Sequence, residues 1–234
     1  MNDQRPLTPE ILKTRLEKIK AEIGQVELIA VTKFADVEKI EWAWRLGQTE
    51  FAENKVQEIE SKSRLLSTKN IDIRWHMIGE LQSNKISRLL GIPGLVAIHS
   101  IDELYLAQKL VDKIHLIKGH QIDFYLQVNI SGEKEKKGIS DPAKLTEIYH
   151  WWRSLPFQSQ KKFVLKGLMG IGPIRTEQFE ADTEASFLFL SSLRDKLSKE
   201  WQYPLTLSMG MSQDYQIALK YKTDCIRVGS QLFS

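Results

Sequence analysis

A lysine follows a run of apolar and β-branched residues near the start of the chain. Lys33 comes directly after "LIAVT" at 28–32. An amine at the end of a buried strand can lift its charge to solvent along its aliphatic stem. If it is partly buried, its pKa falls and it can act as a nucleophile toward an aldehyde, as a Schiff-base lysine does. On this residue alone both interpretations stay open.

A second group of chemically useful residues lies near the end of the chain, in "LSMGMS" at 207–212 and "RVGS" at 227–230. Small residues before a helix expose backbone N–H groups, which bind phosphate with the help of the helix dipole. The alternative is that Gly229 and Ser230 only form a tight turn and that Ser212 only caps a helix. An amine after one strand and a phosphate site after two others together predict a pocket for a phosphorylated aldehyde.

Arg227 lies two residues before the glycine of this predicted phosphate site. Its guanidinium could face the ring nitrogen of a bound pyridine, with Ser208 near enough to orient it. Because arginine is always charged, it would keep that nitrogen unprotonated and make the ring a poor electron sink. A salt bridge at the rim of the fold is the alternative role for Arg227.

His76 stands between Trp75 and Met77 in an apolar run, and it can be either a pocket residue or a hydrogen-bonded core histidine. No second His or Cys stands at the spacing of a metal-binding motif, so we predict no metal site.

The elements that must position these residues are short apolar runs that alternate with stretches of helical periodicity, a pattern typical of repeated βα units. One predicted helix is "SIDELYLAQKLVDKIHLIKG" at 100–119, which begins at a serine and ends at a glycine. A further helix, at about 8–23, precedes the first run. We predict a single (β/α)8 TIM barrel over residues 1–234, and a doubly wound open sheet is the alternative. The eight predicted strands are 26–32, 49–52, 73–79, 94–100, 122–130, 164–172, 205–210 and 225–230. In such a barrel the carboxyl ends of all eight strands meet at one mouth.

Composition narrows the class of protein. The 234 residues carry a formal net charge of only +3, which does not favour a nucleic-acid partner. The chain has one cysteine and no apolar run of the ~20 residues that span a bilayer, so we expect a soluble, cytoplasmic protein without a membrane partner. We expect a monomer or a weak homodimer.

Seven segments resemble the motifs of the pyridoxal phosphate homeostasis proteins, in the same order and over nearly the whole chain. They are "AVTKF", "FAENKVQE", "WHMIGELQSNK", "QVNISGEKEKKGI", "GLMGIG", "LSMGMSQDYQIAL" and "IRVGSQLF". The resemblance implies a barrel similar to the cofactor-binding domain of alanine racemases, with pyridoxal 5′-phosphate held covalently as an internal aldimine on Lys33. It further implies a cofactor-binding set that adds Asn54, His76, Ser208, Ser212, Arg227, Gly229 and Ser230.

The chain departs from the family pattern at two places. Ala52 replaces the usual glycine of "FGEN", and "KFAD" replaces a Lys-Pro that usually follows the first lysine. Neither departure falls on a predicted cofactor residue. Lys136 matches a basic family position that can serve as a second cofactor site, and a solvated charge run is the alternative.

Three functions compete at this stage. The resemblance favours a non-catalytic carrier that stores pyridoxal phosphate or delivers it to apo-enzymes. The second is an amino-acid racemase, and the third is a barrel enzyme for another phosphorylated ligand. Racemisation needs two opposed bases. The sequence ends at Ser234, so we expect neither the additional β-domain of the two-domain racemases nor the second base, and therefore little or no racemase activity.

Overall fold

A computed structural model describes residues 6–117, 121–133, 136–173 and 176–234. Eight parallel strands form a closed barrel in chain order. They are β1 (Glu27–Val31), β2 (Glu50–Glu53), β3 (Arg74–Met77), β4 (Leu95–Ile101), β5 (Ile122–Val128), β6 (Phe163–Gly170), β7 (Thr206–Met211) and β8 (Cys225–Val228).

The closure of the barrel excludes the open-sheet alternative, because β1 pairs with β8 over four residues, from Glu27 against Cys225 to Ala30 against Val228. Each predicted strand overlaps an observed one, and their ends agree within two residues. The prediction of a (β/α)8 barrel is therefore confirmed.

Helices surround the barrel, and the first of them precedes β1 as predicted. The helices are α1 (Pro9–Ile23), α2 (Val37–Arg45), α3 (Val56–Ser67), α4 (Ile86–Leu90), α5 (Leu104–Asp112), α6 (Pro142–Arg153), α7 (Phe157–Lys162), α8 (Phe179–Trp201), α9 (Tyr215–Lys220) and α10 (Ser230–Phe233). Thr8 caps α1 by accepting a hydrogen bond from the backbone N–H of Ile11 at 3.3 Å. Within the described residues, no helix combines the length and hydropathy needed to cross a bilayer.

The "SIDELYLAQKLVDKIHLIKG" segment at 100–119 differs from its predicted helix. Ser100 and Ile101 end β4, the helix α5 covers only part of the segment, and residues 118–119 lie outside the described residues. The serine that looked like a helix cap is therefore the end of a strand.

Successive strand residues point alternately outward to the helices and inward to the barrel axis. The outward residues join one large apolar cluster with the helices, including Phe51 and Trp75. The inward residues form a much smaller apolar cluster of Ile29, Val31, Ala52 and Cys225. Much of the remaining interior is polar, and this polar interior lies below the mouth of the barrel.

Candidate functional site

A cavity of about 360 Å³ opens at the carboxyl ends of the strands, a size within the range of small-molecule sites. Six of the eight predicted site residues line it, and two do not. The lining residues are Val31, Lys33, Phe34, Asn54, Ile78, Pro173, Phe179, Met211, Ser212, Gln213, Asp214, Arg227, Gly229 and Ser230. His76 and Ser208 lie beneath the cavity, inside the barrel.

Lys33 occupies a turn just after β1, and its side chain is exposed rather than partly buried. The Lys33 ammonium lies 5.0 Å from the centroid of the Phe34 ring, which is itself 79% exposed. The amine therefore borders both the cavity and bulk solvent, and an aldehyde can reach it without passing through the core.

A buried ion pair fixes the backbone directly before Lys33. Glu53, at the end of β2, is fully buried and accepts hydrogen bonds from the Thr32 hydroxyl at 2.7 Å and from the Lys62 ammonium at 2.6 Å. Lys62 also donates to the backbone carbonyl of Thr32 at 2.9 Å. These three side chains, the Thr32–Glu53–Lys62 cluster, tie the end of β1 to β2 and α3. They hold the start of the Lys33 turn in place.

A second part of the cavity wall is formed by the loops after β7 and β8, which Ser212 joins. Its hydroxyl accepts hydrogen bonds from the backbone N–H groups of Gly229 at 3.2 Å and Gln231 at 3.5 Å. Ser212 does not cap the following helix, because α9 begins later and Asp214 occupies the residue before it. The tertiary contact to the β8 loop takes the place of the predicted cap.

Arg227 lies on β8 at the floor of the cavity and is 3% exposed. It donates to the Ser208 hydroxyl at 2.5 Å and to the backbone carbonyl of Gly170 at 2.9 Å. These contacts are with neutral groups, so they differ from the rim salt bridge that we considered. Burial lowers the pKa of the Arg227 guanidinium, although nearby acidic groups oppose this effect. A buried arginine with spare N–H groups can act as a hydrogen-bond donor toward a ligand.

Asp214 adds an acidic group to the same wall. It is 3% exposed, and burial raises the pKa of its carboxyl, while a hydrogen bond from the Met211 backbone N–H and the charge of Arg227 lower it. The carboxyl is therefore held by the backbone of its own loop.

Asn54 lies in the loop after β2, against the loop that follows β3. A β-carbon on Gly79 would lie 2.1 Å from the backbone carbonyl oxygen of Asn54. Because no side chain fits in that space, a glycine is required where "WHMIG" ends. This close approach positions Asn54 at the edge of the cavity.

His76 and Ser208 both belong to the barrel interior. His76 lies 2.8 Å from a carboxylate oxygen of Glu50 and 2.9 Å from a ring nitrogen of His99. Ser208 is fully buried between His99 and Arg227. Of the two interpretations of His76, the structure matches the hydrogen-bonded core histidine.

Lys136 lies outside the cavity lining. Its ammonium is 2.8 Å from a carboxylate oxygen of Glu133 and donates to the backbone carbonyl of Gly172 at 3.2 Å. Its role as a second cofactor site stays a prediction.

Sequence reasoning missed several residues around the site. Asp214 lies two positions after Ser212, the serine of the predicted phosphate site. Its position shortly after a predicted strand was a signal that it lies at the mouth of the barrel. Lys62 falls between Ile59 and Leu66 at the spacing of the buried face of α3, which marks it as an unusual buried lysine. His99 gave no such signal.

The family model of the alanine racemase N-terminal domain matches residues 9–234. The pyridoxal phosphate homeostasis protein of Schizosaccharomyces pombe is 39% identical to this chain over 224 residues, which cover 93% of this chain and 90% of that protein. The protein of the same name from Homo sapiens is 33% identical and covers 89% of this chain and 76% of its own length. The similarity therefore spans the cavity residues of both walls.

Two solved structures share the barrel. PipY of Synechococcus elongatus PCC7942, solved with PLP bound, has a TM-score of 0.83 and 33% identity, and the match covers 95% of this chain and all of that chain. An alanine racemase from Clostridium difficile 630 has a TM-score of 0.72 at 14% identity, covering 95% of this chain and 56% of that chain. The likeness to the racemase concerns the fold alone.

Proposed function

The chain belongs to the pyridoxal phosphate homeostasis proteins, and from this premise we propose that it binds pyridoxal 5′-phosphate as a Schiff base with Lys33. We further propose that it stores or delivers this cofactor without substantial catalytic activity of its own. The family match over residues 9–234 supports treating the chain as one cofactor-binding domain. PipY, the structural relative solved with PLP bound, supports the choice of cofactor.

One observation carries the proposal: a single cavity is lined by both an amine and a set of anion-binding groups. Lys33 supplies the amine, and Ser212, Gly229 and Ser230 supply hydroxyl and backbone N–H groups. An amine reacts with an aldehyde, and hydroxyl and backbone N–H groups bind phosphate. Pyridoxal phosphate carries both an aldehyde and a phosphate, so the residues present fit the group.

Arg227 decides what the bound cofactor can do. Pyridoxal phosphate supplies an electron sink when its ring nitrogen is protonated, and a carboxylate partner favours that state. In this chain the polar group on the floor of the cavity is an arginine, of whose five N–H donors two are used in hydrogen bonds to described residues. A permanently charged donor beside the ring nitrogen disfavours its protonation, which supports storage or delivery over carbanion chemistry.

The composition of the cavity wall also favours a carrier over a racemase. A racemase needs a second base opposite the lysine. No tyrosine, histidine or cysteine is among the described residues that line the cavity, although Asp214 is. The exposed Lys33 further suits exchange with amines in solution and with apo-enzymes that need the cofactor.

Borohydride reduction followed by peptide mass mapping tests the Schiff base. After incubation with pyridoxal phosphate, wild-type protein should carry one pyridoxyl group, on Lys33, and Lys33→Ala should lose both this adduct and the visible absorption. Lys55→Ala is the matched control, because Lys55 is also an exposed lysine just after a strand at the mouth. Scattered labelling that is unchanged in Lys33→Ala would refute the proposal.

Two assays separate a carrier from an enzyme. Reconstitution of an apo-enzyme should be faster with the loaded protein than with an equal concentration of free cofactor, and an equal or slower rate would argue against delivery. Incubation of the loaded protein with L-alanine should produce no D-alanine beyond the rate with free cofactor. Sustained turnover would instead identify a racemase.

A further inference from the structure

A continuous chain of polar side chains, four of them buried, crosses the barrel interior from the floor of the cavity to the opposite end of the barrel. Arg227 contacts the Ser208 hydroxyl at 2.5 Å, and this hydroxyl lies 2.9 Å from Nδ1 of His99. Nε2 of His99 lies 2.9 Å from Nδ1 of His76, and Nε2 of His76 lies 2.8 Å from Oε2 of Glu50. We call these five residues the interior chain.

The two ends of the interior chain determine the direction of every hydrogen bond in it. An arginine can only donate, and an ionised carboxylate can only accept. With both histidines neutral, the Ser208 hydroxyl therefore donates to His99, Nε2–H of His99 donates to His76, and Nε2–H of His76 donates to Glu50. Both histidines are then Nε2–H tautomers, and Ser208 presents only oxygen lone pairs to Arg227.

The surroundings of His99 favour its neutral state. His99 is fully buried and stacks on the Tyr125 ring at a centroid distance of 4.3 Å. Burial, and with it the charge of Arg227, lowers the pKa of His99 well below its ordinary value. Burial also raises the pKa values of the Tyr125 hydroxyl and the Cys225 thiol, so both remain protonated beside the chain.

The surroundings of Glu50 favour its ionised form. Burial raises the pKa of this carboxyl, but the hydrogen bonds from His76 and Arg74 and the charge of Arg74 lower it, and the pKa lies below its ordinary value. Arg74 donates to Oε1 of Glu50, which leaves Oε2 to accept from His76. Glu27, on the neighbouring strand β1, lies at the same end of the barrel and makes no hydrogen bond to the five residues of the interior chain.

We propose that the interior chain is a positioning device for Arg227, and that Glu50, at the far end of the barrel from the cavity, sets its direction. The proposal rests on the function proposed above, in which Arg227 faces the ring nitrogen of the cofactor. The interior chain turns the Ser208 hydrogen toward His99, so the Ser208 oxygen only accepts from one guanidinium nitrogen of Arg227. The Gly170 carbonyl accepts from the other, and the remaining N–H groups therefore keep a fixed orientation. His76, His99 and Glu50 act through Ser208 and do not touch the cofactor.

Loss of the Glu50 charge should allow the hydrogen bonds of the interior chain to reverse their direction. In Glu50→Gln the amide can donate to His76, which can then donate from Nδ1 to His99, and His99 can donate from Nδ1 to Ser208. The Ser208 hydrogen is then free to turn toward Arg227, where it competes with the guanidinium donors. Glu27→Gln is the matched control, because it removes a carboxylate at the same end of the barrel and changes no residue of the interior chain.

The first test uses long-range ¹H–¹⁵N NMR of the imidazole rings in the cofactor-free protein at pH 8. The proposal expects Nε2–H tautomers for His76 and His99 in wild type and in Glu27→Gln, and a partial or full change to Nδ1–H in Glu50→Gln. An Nδ1–H tautomer of His99 in wild type would overturn the assigned direction. An unchanged tautomer in Glu50→Gln would overturn the role of Glu50.

The second test is titration with pyridoxal phosphate, followed by visible absorption. Glu50→Gln should weaken binding about three- to tenfold, the loss of one modest hydrogen bond, and should shift the visible band, while Glu27→Gln should stay within about twofold of wild type. If Glu50→Gln has the same affinity and the same spectrum as wild type, the positioning role of the interior chain is wrong, while the proposed function still stands. If wild type fails to label at Lys33, the proposed function fails, and the NMR test still decides the direction of the chain.

A second pair of variants covers the case in which Glu50→Gln does not fold. His99→Asn keeps an acceptor near the position of Nδ1, where Ser208 donates, and His99→Leu removes it. The spectrum and affinity of His99→Asn should therefore lie between those of wild type and His99→Leu. Identical behaviour of the two variants would contradict the positioning role.

Discussion

The two walls of the cavity are supported by buried polar groups of opposite character. Under Lys33 the Thr32–Glu53–Lys62 cluster is compact and charged, with the Lys62 ammonium 2.6 Å from Glu53. Under Arg227 the interior chain is extended, and its middle members are a hydroxyl and two imidazoles. Removing Lys62 from the cluster leaves a buried charge without its counter-ion, whereas removing His99 from the interior chain leaves a hydroxyl and an imidazole each without one hydrogen-bond partner. The first support therefore fixes the backbone, and the second fixes the direction of hydrogen bonds.

The largest expected effect comes from breaking the cluster. Lys62→Met leaves the fully buried Glu53 carboxylate without its counter-ion, and we expect the free energy of unfolding to fall by about 3–5 kcal/mol. Urea unfolding measures this loss. The double variant Lys62→Met with Glu53→Leu should lose less than the single variant, and the exposed Lys55→Met should change little. A loss under about 1 kcal/mol for Lys62→Met would show that the pair contributes little to stability.

A smaller loss is expected where the two mouth loops meet. In Gly79→Ala the new β-carbon would lie 2.1 Å from the Asn54 carbonyl, so the loops must separate, and we expect about 1–3 kcal/mol of destabilisation with weaker cofactor binding. Gly91→Ala is the control, since its β-carbon would have no neighbour closer than 3.5 Å. Thermal unfolding and cofactor titration measure the two effects. Equal behaviour of the two alanine variants would contradict the close approach.

Because His99 of the interior chain is buried, the free energy of unfolding should depend on pH. Because the pKa of His99 is lower in the folded protein, the unfolded chain binds a proton more readily, and stability is lost as pH falls below the ordinary value of about 6.5. We expect a slope of up to about 1.4 kcal/mol per pH unit between pH 6.5 and 5.5. Urea unfolding at several pH values should give a flatter profile for His99→Gln. The exposed His150→Gln should keep the wild-type slope, and a slope unchanged in His99→Gln would assign it to other groups.

The smallest effect is expected at the mouth. Phe34 is 79% exposed, so Phe34→Ala should change the free energy of unfolding by no more than about 0.5 kcal/mol. Phe187→Ala, at a fully buried position, should cost about 3–5 kcal/mol in the same urea experiment. A large loss in Phe34→Ala would mean that this ring packs against the barrel in solution.

The barrel was predictable because each strand carries its own apolar signal. Strand ends then located Lys33, Asn54 and Arg227 near one cavity, since parallel strands share one carboxyl edge. The helix predicted at 100–119 was wrong at its start, because Ser100 resembles a helix cap but ends β4. Local patterns do not tell a serine at a strand end from one that begins a helix.

The supports below the cavity were not predictable in the same way. His99 and Ser208 contact each other across 109 positions of sequence. Their pairing follows from the alternation of inward residues on β4 and β7 and from the closure of the barrel, neither of which leaves a local signal. Ser212 shows the same limit, because its hydroxyl does not cap α9, the next helix in the sequence, and instead accepts hydrogen bonds from Gly229 and Gln231 at the end of the chain.

The only cysteine of the sequence, Cys225, can report the opening of the barrel. Cys225 is 1% exposed, it begins β8, and burial raises the pKa of its thiol to about 11. The thiolate is the form that reacts with thiol reagents, so the folded protein protects Cys225 in two ways: the reagent cannot reach it, and its thiol stays protonated. The rate at which a thiol reagent modifies Cys225 therefore measures how often the seam between β8 and its neighbours separates, without any introduced label.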